Sequence, residues 1–229
     1  MKKTVFYTEL AFFVGLAFLA FGTALTVYGN VGISMVVAPA YVLHLYVSQF
    51  LPWFSFGVAE YVLQAIVLLV LIIILRKVKW TYLLSFGATL LYGVLLDTSM
   101  MLTALLPANP YLQVATYIVG AIICCGSLAL LFVSYFPPEA YELFSKEISA
   151  RFNKPIHRIV NFYNLSSLLV SVILSLTLFG GIKGIGIGTV ACAFLYGFVI
   201  NFFQKVYGKI FNFKDKFAWR ERFDKSEIK

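Results

Sequence analysis

The sequence predicts an all-α integral membrane protein with six transmembrane helices arranged as two inverted three-span repeats. Each repeat carries an extra short re-entrant or amphipathic helix after its first span. Three observations predict this. Hydrophobic residues make up 61% of the 229 positions and charged residues 12%, against roughly 45–50% and about 25% in soluble domains. The stretch LYGVLLD (Leu91 to Asp97) returns 104 residues later as LYGFVIN (Leu195 to Asn201), and Gly22-Thr23 returns at the same offset as Gly126-Ser127. Finally, the basic residues separate by side once the spans are drawn.

The spans follow in order. Crossing a bilayer core about 30 Å thick takes about 20 apolar helical residues. Leu10 to Gly29, Phe56 to Leu75, Trp80 to Asp97, Tyr111 to Phe136, Phe162 to Gly180 and Ile185 to Gln204 meet that length. The first follows Lys2 and Lys3 but runs unbroken beyond the about 7–15 apolar residues of a signal peptide, so it reads as a retained span. Ser34 to Val47 is too short to cross. It opens at Gly32 with Ser34 as a helix cap, contains Pro39 and His44, and reads as re-entrant or interfacial. Its counterpart is Glu139 to Phe152, started by Pro137 and Pro138. There Tyr141, Phe144, Ile148 and Phe152 form one stripe, with Glu142, Lys146, Glu147 and Arg151 off it, the pattern of a helix lying on a membrane.

With six spans and the N-terminus inside, every lysine and arginine except Lys183 falls on the cytoplasmic side. Letting Ser34 to Val47 span would scatter the later clusters onto alternating sides. Three spans per copy is an odd number, so the second copy enters the membrane inverted. Residues 1–106 are then the first repeat, 107–204 the second, and 205–229 a basic cytoplasmic tail. Such repeats place solute sites near the midplane at their interface.

Candidate chemistry is sparse. Glu60 and Asp97 are carboxylates near the outer ends of the second and third spans, and their partners in the second copy are Asn164 and Asn201. A carboxylate within a bilayer faces a bundle interior or a cavity. The pair therefore reads as a cation, proton or amine site opening outward; the plainer reading is two helix-end groups hydrated by headgroups. Gln64 stands one turn after Glu60 on the same face. His44 and Ser34 join this set if the re-entrant segment folds inward. Gly186, Gly188 and Thr189 lack the strand and lysine of a phosphate loop. They read either as close helix packing or as a broken helix end aimed at a substrate anion. Cys124, Cys125 and Cys192 lie in apolar runs without metal-ligand spacing. No metal, cofactor or catalytic constellation is expected, and hence no enzyme. In the tail, Lys and Arg alternate with Phe211, Phe213, Phe217 and Trp219, a pattern for anionic inner-leaflet lipids. Asp215, Glu221, Asp224 and Glu227 dilute the charge too far for nucleic acid.

VYGNVGIS (Val27 to Ser34), LYGVLLD, the double proline with its acid at Pro137 to Glu139, and GIGT (Gly186 to Thr189) together resemble the YczE/YyaS/YitT group of bacterial multi-pass membrane proteins. The resemblance covers nearly the whole chain. It implies a bacterial plasma-membrane location and, for some members, export of small molecules. Met35 replaces the proline that often follows the glycine-x-serine, and Glu139 stands where Asp is commoner. Asp97 and Gly186 to Thr189 match best. The expected function is a secondary transporter of a small molecule, in the bilayer and with both termini cytoplasmic; self-association is left open. The alternative is a non-transporting scaffold or sensor that holds a cytoplasmic partner through Glu139 to Phe152 and the tail.

Overall fold

The computed structural model describes residues 4–137 and 139–217, with backbone only for Ile156, His157 and Ala193. Lys2, Lys3, Pro138 and the outer tail with Trp219, Glu221, Asp224 and Glu227 lie outside the described residues. The order of elements is β1 (Thr4–Tyr7), α1 (Thr8–Gly29), α2 (Ala38–Val47), α3 (Phe56–Leu75), α4 (Trp80–Thr103), α5 (Pro110–Leu131), α6 (Ala140–Phe152), α7 (Ile156–Phe179), α8 (Ile187–Ile210) and β2 (Phe211–Lys214). Among the described residues, α1, α3, α4, α5 and α7 are long and apolar enough to cross a membrane. Their outward surfaces carry exposed Leu69, Ile73, Leu83, Leu165 and Leu169, which water would not tolerate over so large an area. The chain is a multi-pass, membrane-embedded helical protein.

Local chemistry sets the ends. The Ser55 hydroxyl accepts the Val58 N–H and starts α3; Arg76, at φ 52°, stops it in the left-handed conformation. Asn109 caps α5, with Pro110 filling the first position, where no N–H is needed. Asn30 and Gly180 end α1 and α7 with left-handed residues. The helix expected to stop at Asp97 continues to Thr103, with the Thr98 and Thr103 hydroxyls satisfied by donating to carbonyls of their own helix.

The helices α1 and α5 run antiparallel at close range. Gly15 lies by Leu131, Gly22 by Cys124 and Gly29 by Tyr117. A Cβ at Gly22 would come 2.9 Å from the Gly120 carbonyl oxygen, and one at Gly120 would come 2.7 Å from that of Gly22, the small-residue contact of membrane helices. The flanks are α4 on α1 and α8 on α5. Each short helix is wedged between the same two long ones, since both α2 and α6 pack on α3 and α7.

One expectation is corrected. Helix α6 does not lie on a surface. Tyr141, Leu143, Ser145 and Ile148 are buried and Phe152 is exposed. Its first residue sits beside Gln64, in mid-α3, and its later Glu147 pairs with Lys79 before α4 at 2.7 Å. Of the polar stripe, Glu147 meets Lys79 and Glu142 is drawn in, while Lys146 and Arg151 stay exposed. The two ends of the described chain also come together. Strands β1 and β2 pair in parallel, with Thr4 opposite Phe211 and Tyr7 opposite Lys214. Glu9 clasps the pair by accepting the Lys216 and Phe217 N–H groups and the Tyr135 hydroxyl, and Thr8 donates to Asp215 at 2.6 Å. The described part of the tail is thus built into α8 and β2.

Candidate functional site

Gln64 is the hub of a buried polar cluster. Its Oε1 accepts the Ala140 N–H at 3.0 Å and the Thr89 hydroxyl at 2.5 Å. A backbone N–H can only donate, which sets the orientation of the amide. Nε2 then faces two carboxylates, donating to Glu60 Oε2 at 3.2 Å and Glu139 Oε2 at 3.0 Å. The Tyr141 hydroxyl donates to Glu60 Oε2 at 2.7 Å. Glu60, Gln64, Glu139 and Tyr141 are all buried, the first two completely.

Glu139 precedes the first turn of α6 and Glu142 lies within it. The Glu139 carbonyl opens the helix by accepting the Leu143 N–H at 3.0 Å, while its carboxylate makes no cap bond and turns away towards α3. The positive end of α6 favours negative charge at both positions. Even so, Glu60 Oε1, Glu139 Oε1 and Glu142 Oε2 are buried with no hydrogen-bond partner. A buried, unpaired carboxylate is costly. Three together cannot all be charged unless a proton or another cation compensates.

Beside this cluster is a cavity of about 60 Å³, lined by Ser34, Tyr92, Glu139, Tyr141, Glu142 and Tyr196 among others. It holds a few water-sized molecules. Ser34 heads the turn before α2, its carbonyl accepting the Ala38 N–H at 3.1 Å. The cavity therefore lies between the starts of the two short helices. Glu60 is not part of the wall; it stands one hydrogen bond behind Tyr141. Tyr92 crosses to α1, donating to Thr23 Oγ1 at 3.1 Å.

The other candidates have separate surroundings. Asp97 accepts the Ser55 hydroxyl at 2.5 Å and the Gly57 N–H at 2.8 Å, tying α4 to the start of α3. His44 Nδ1 donates to the Phe54 carbonyl at 2.9 Å, and its ring stacks on Phe56. Asn164 is half-buried on α7 and Asn201 is exposed on α8. Gly186, Gly188 and Thr189 form a joint with the chain leaving α1. The Gly188 N–H donates to the Val31 carbonyl, and Thr189 Oγ1 accepts the Ile33 and Gly186 N–H groups. Added Cβ atoms at Gly186 and Gly188 would collide with Val31 and Tyr117. Close packing therefore occupies that helix start.

The structure brings Ser34, Glu60 and Gln64 to one region and leaves Asp97, His44, Asn164, Asn201 and the glycine joint outside it. Sequence reasoning missed Glu139 and Glu142 as site residues. The available signal was the duplication, because they answer Met35 and Ala38 at the 104-residue offset. They are acids in one copy and apolar in the other, as Glu60 and Asp97 are acids matched by amides. Among the described residues, no group of three or more His, Cys, Asp or Glu side chains is arranged to hold a metal ion. No curated protein and no solved structure matches the chain. Residues 6–205 match the model of a family of unknown function, DUF6198, and the chain belongs to that family.

Proposed function

We propose that the protein is a secondary transporter of a small solute, with its site in the cavity between the starts of α2 and α6. The observation that carries the reading is the Glu139 carboxylate, buried on the wall of an internal cavity with one oxygen unpartnered. A purely structural acid would have its oxygens filled, whereas a transport site holds them for a passing ligand. Two features support the inverted arrangement this function uses. The helix order long, short, long, long occurs twice, and α1 runs antiparallel to its equivalent α5. With 24 residues, α8 is the sixth span in this reading, about 36 Å long at 1.5 Å per residue. In the same frame, α2 and α6 are re-entrant half-helices entering from opposite sides and both termini are cytoplasmic, a reading the Lys and Arg distribution supports, while the bacterial setting rests on the family resemblance alone. The scaffold alternative uses α6 and the basic tail as docking surfaces, and α6 is packed on α3 and α7.

Reconstitution into liposomes tests the function. Solute flux driven by a pH gradient should be present in the native protein and lost in Glu139→Gln; equal flux in both would refute the assignment. Single cysteines at Gln49, Asn109 and Gly181 should label from outside the cell, and cysteines at Lys77 and Lys154 should not. Labelling of Lys154→Cys from outside would remove the inverted arrangement.

A further inference from the structure

The chemistry of the cavity wall narrows the solute. Among its described lining residues there is no Lys, Arg or His, while two acids face it and a third stands behind. Glu139 lines the cavity, is 6% exposed and has its Oε1 without a partner; Glu142, also on the wall, has Oε2 likewise unpartnered. Other described carboxylates are used locally. Glu9 holds the tail, Asp97 holds the start of α3, and Glu147 holds Lys79. An anionic solute would find no side-chain countercharge here. A bare metal ion needs several oxygens closing to about 2.0–2.6 Å, and no such grouping exists among the described residues. A cation that donates N–H hydrogen bonds needs oxygens near 2.7–2.9 Å and is also attracted by aromatic faces. Tyr92, Tyr141 and Tyr196 are the aromatic residues on its wall. The volume of about 60 Å³ suits a small ammonium group and not a drug-sized molecule.

We propose that Glu139 and Glu142 bind a small ammonium-class cation in exchange for a proton, with Glu60 as a third carboxylate held beside Glu139 by the shared Gln64 amide. The proposal rests on the transporter reading and specifies its substrate class. In the empty site a carboxylic O–H holds the proton. On cation entry that bond breaks, the proton leaves to solution, and the carboxylate left behind is neutralised by the cation; no electrons are transferred. The titratable groups facing the pair are Glu60 from α3, Tyr92 from α4, Cys124 from α5, Tyr163 from α7 and Tyr196 from α8. Gln64 and Tyr141 are positioning residues.

The full-length protein, mixed in weak buffer with methylammonium chloride, should release a proton for each cation bound, with sodium and potassium chloride as parallel arms. Glu139→Gln should abolish release and weaken methylammonium binding by about 10- to 100-fold, the loss of a charge-assisted hydrogen bond. Glu142→Gln should show the smaller loss, and gives a second reading if the first variant does not fold. Release by sodium or potassium but not methylammonium overturns the ammonium assignment, and so does unchanged release from both variants. Flux of an uncharged or anionic solute through liposomes, without cation-linked proton release, overturns the substrate class while leaving the transporter reading intact.

Discussion

LYGVLLD and LYGFVIN are nearly the same sequence in different situations. In the first copy, Gly93 faces Tyr61 of α3 so closely that an added Cβ would collide with the ring, and Asp97 ties down the start of that helix. In the second copy, Gly197 meets nothing within 4 Å and Asn201 is exposed. The helices they sit on differ accordingly: α4 packs on α3, whereas among the described residues α8 packs on α5 and not closely on α7. Leu165, the counterpart of Tyr61, is exposed. Duplication thus copied the helices but not this contact. The polar cluster is built around the half whose long helices are closed together, and the other half keeps two faces apart.

Substitutions can break that comparison. The largest effect is expected from Gly93→Leu, which forces Tyr61 away and should cost about 3 kcal/mol by overpacking. Gly197→Leu should stay within about 0.5 kcal/mol. Reversible unfolding in detergent measures both, and equal costs would mean that the two motifs are equally packed. Next, Asp97→Ala removes two hydrogen bonds at the start of α3 and should cost about 1–2 kcal/mol. Asn201→Ala should be neutral in the same assay. Smallest is Lys79→Met, which breaks the pair with Glu147. Both side chains are mostly buried, at 16% and 12% accessible, so the loss should be about 1 kcal/mol, the top of the range for exposed pairs. A larger loss would show that this pair, more than burial, holds α6 in place.

Much of the fold was legible. The second span was read residue for residue as Phe56–Leu75, because Ser55 and Arg76 are strong end signals on either side of an uninterrupted apolar run. The placement of α6 was not legible. A stripe of Tyr141, Phe144 and Ile148 opposed by Glu142 and Glu147 has the same period whether its polar side meets water or, as at Glu147, Lys79. Periodicity reports that two faces differ, and partners 65 to 80 residues away decide what each face meets. The site divided for the same reason. Gln64 and Glu60 were recognisable as polar groups on one face of an apolar helix, but Asp97 in the same setting has a local role, which depends on where Ser55 and Gly57 lie. The fifth helix was drawn five residues too long, because Phe132 to Phe136 are apolar enough to continue it. Instead they cross the start of α1, where Phe136 packs on Phe12 and Tyr135 reaches Glu9.

The pairing of β1 with β2 also bears on how the protein is made. Thr8 and Asp215 are 207 positions apart, so at about 5–20 residues per second a ribosome needs roughly 10–40 s after the first strand emerges to produce the second. Throughout that interval α1 is already synthesised while Glu9 waits for the Lys216 and Phe217 amides. The clasp therefore forms among the last contacts of biogenesis, after every helix it encloses has emerged.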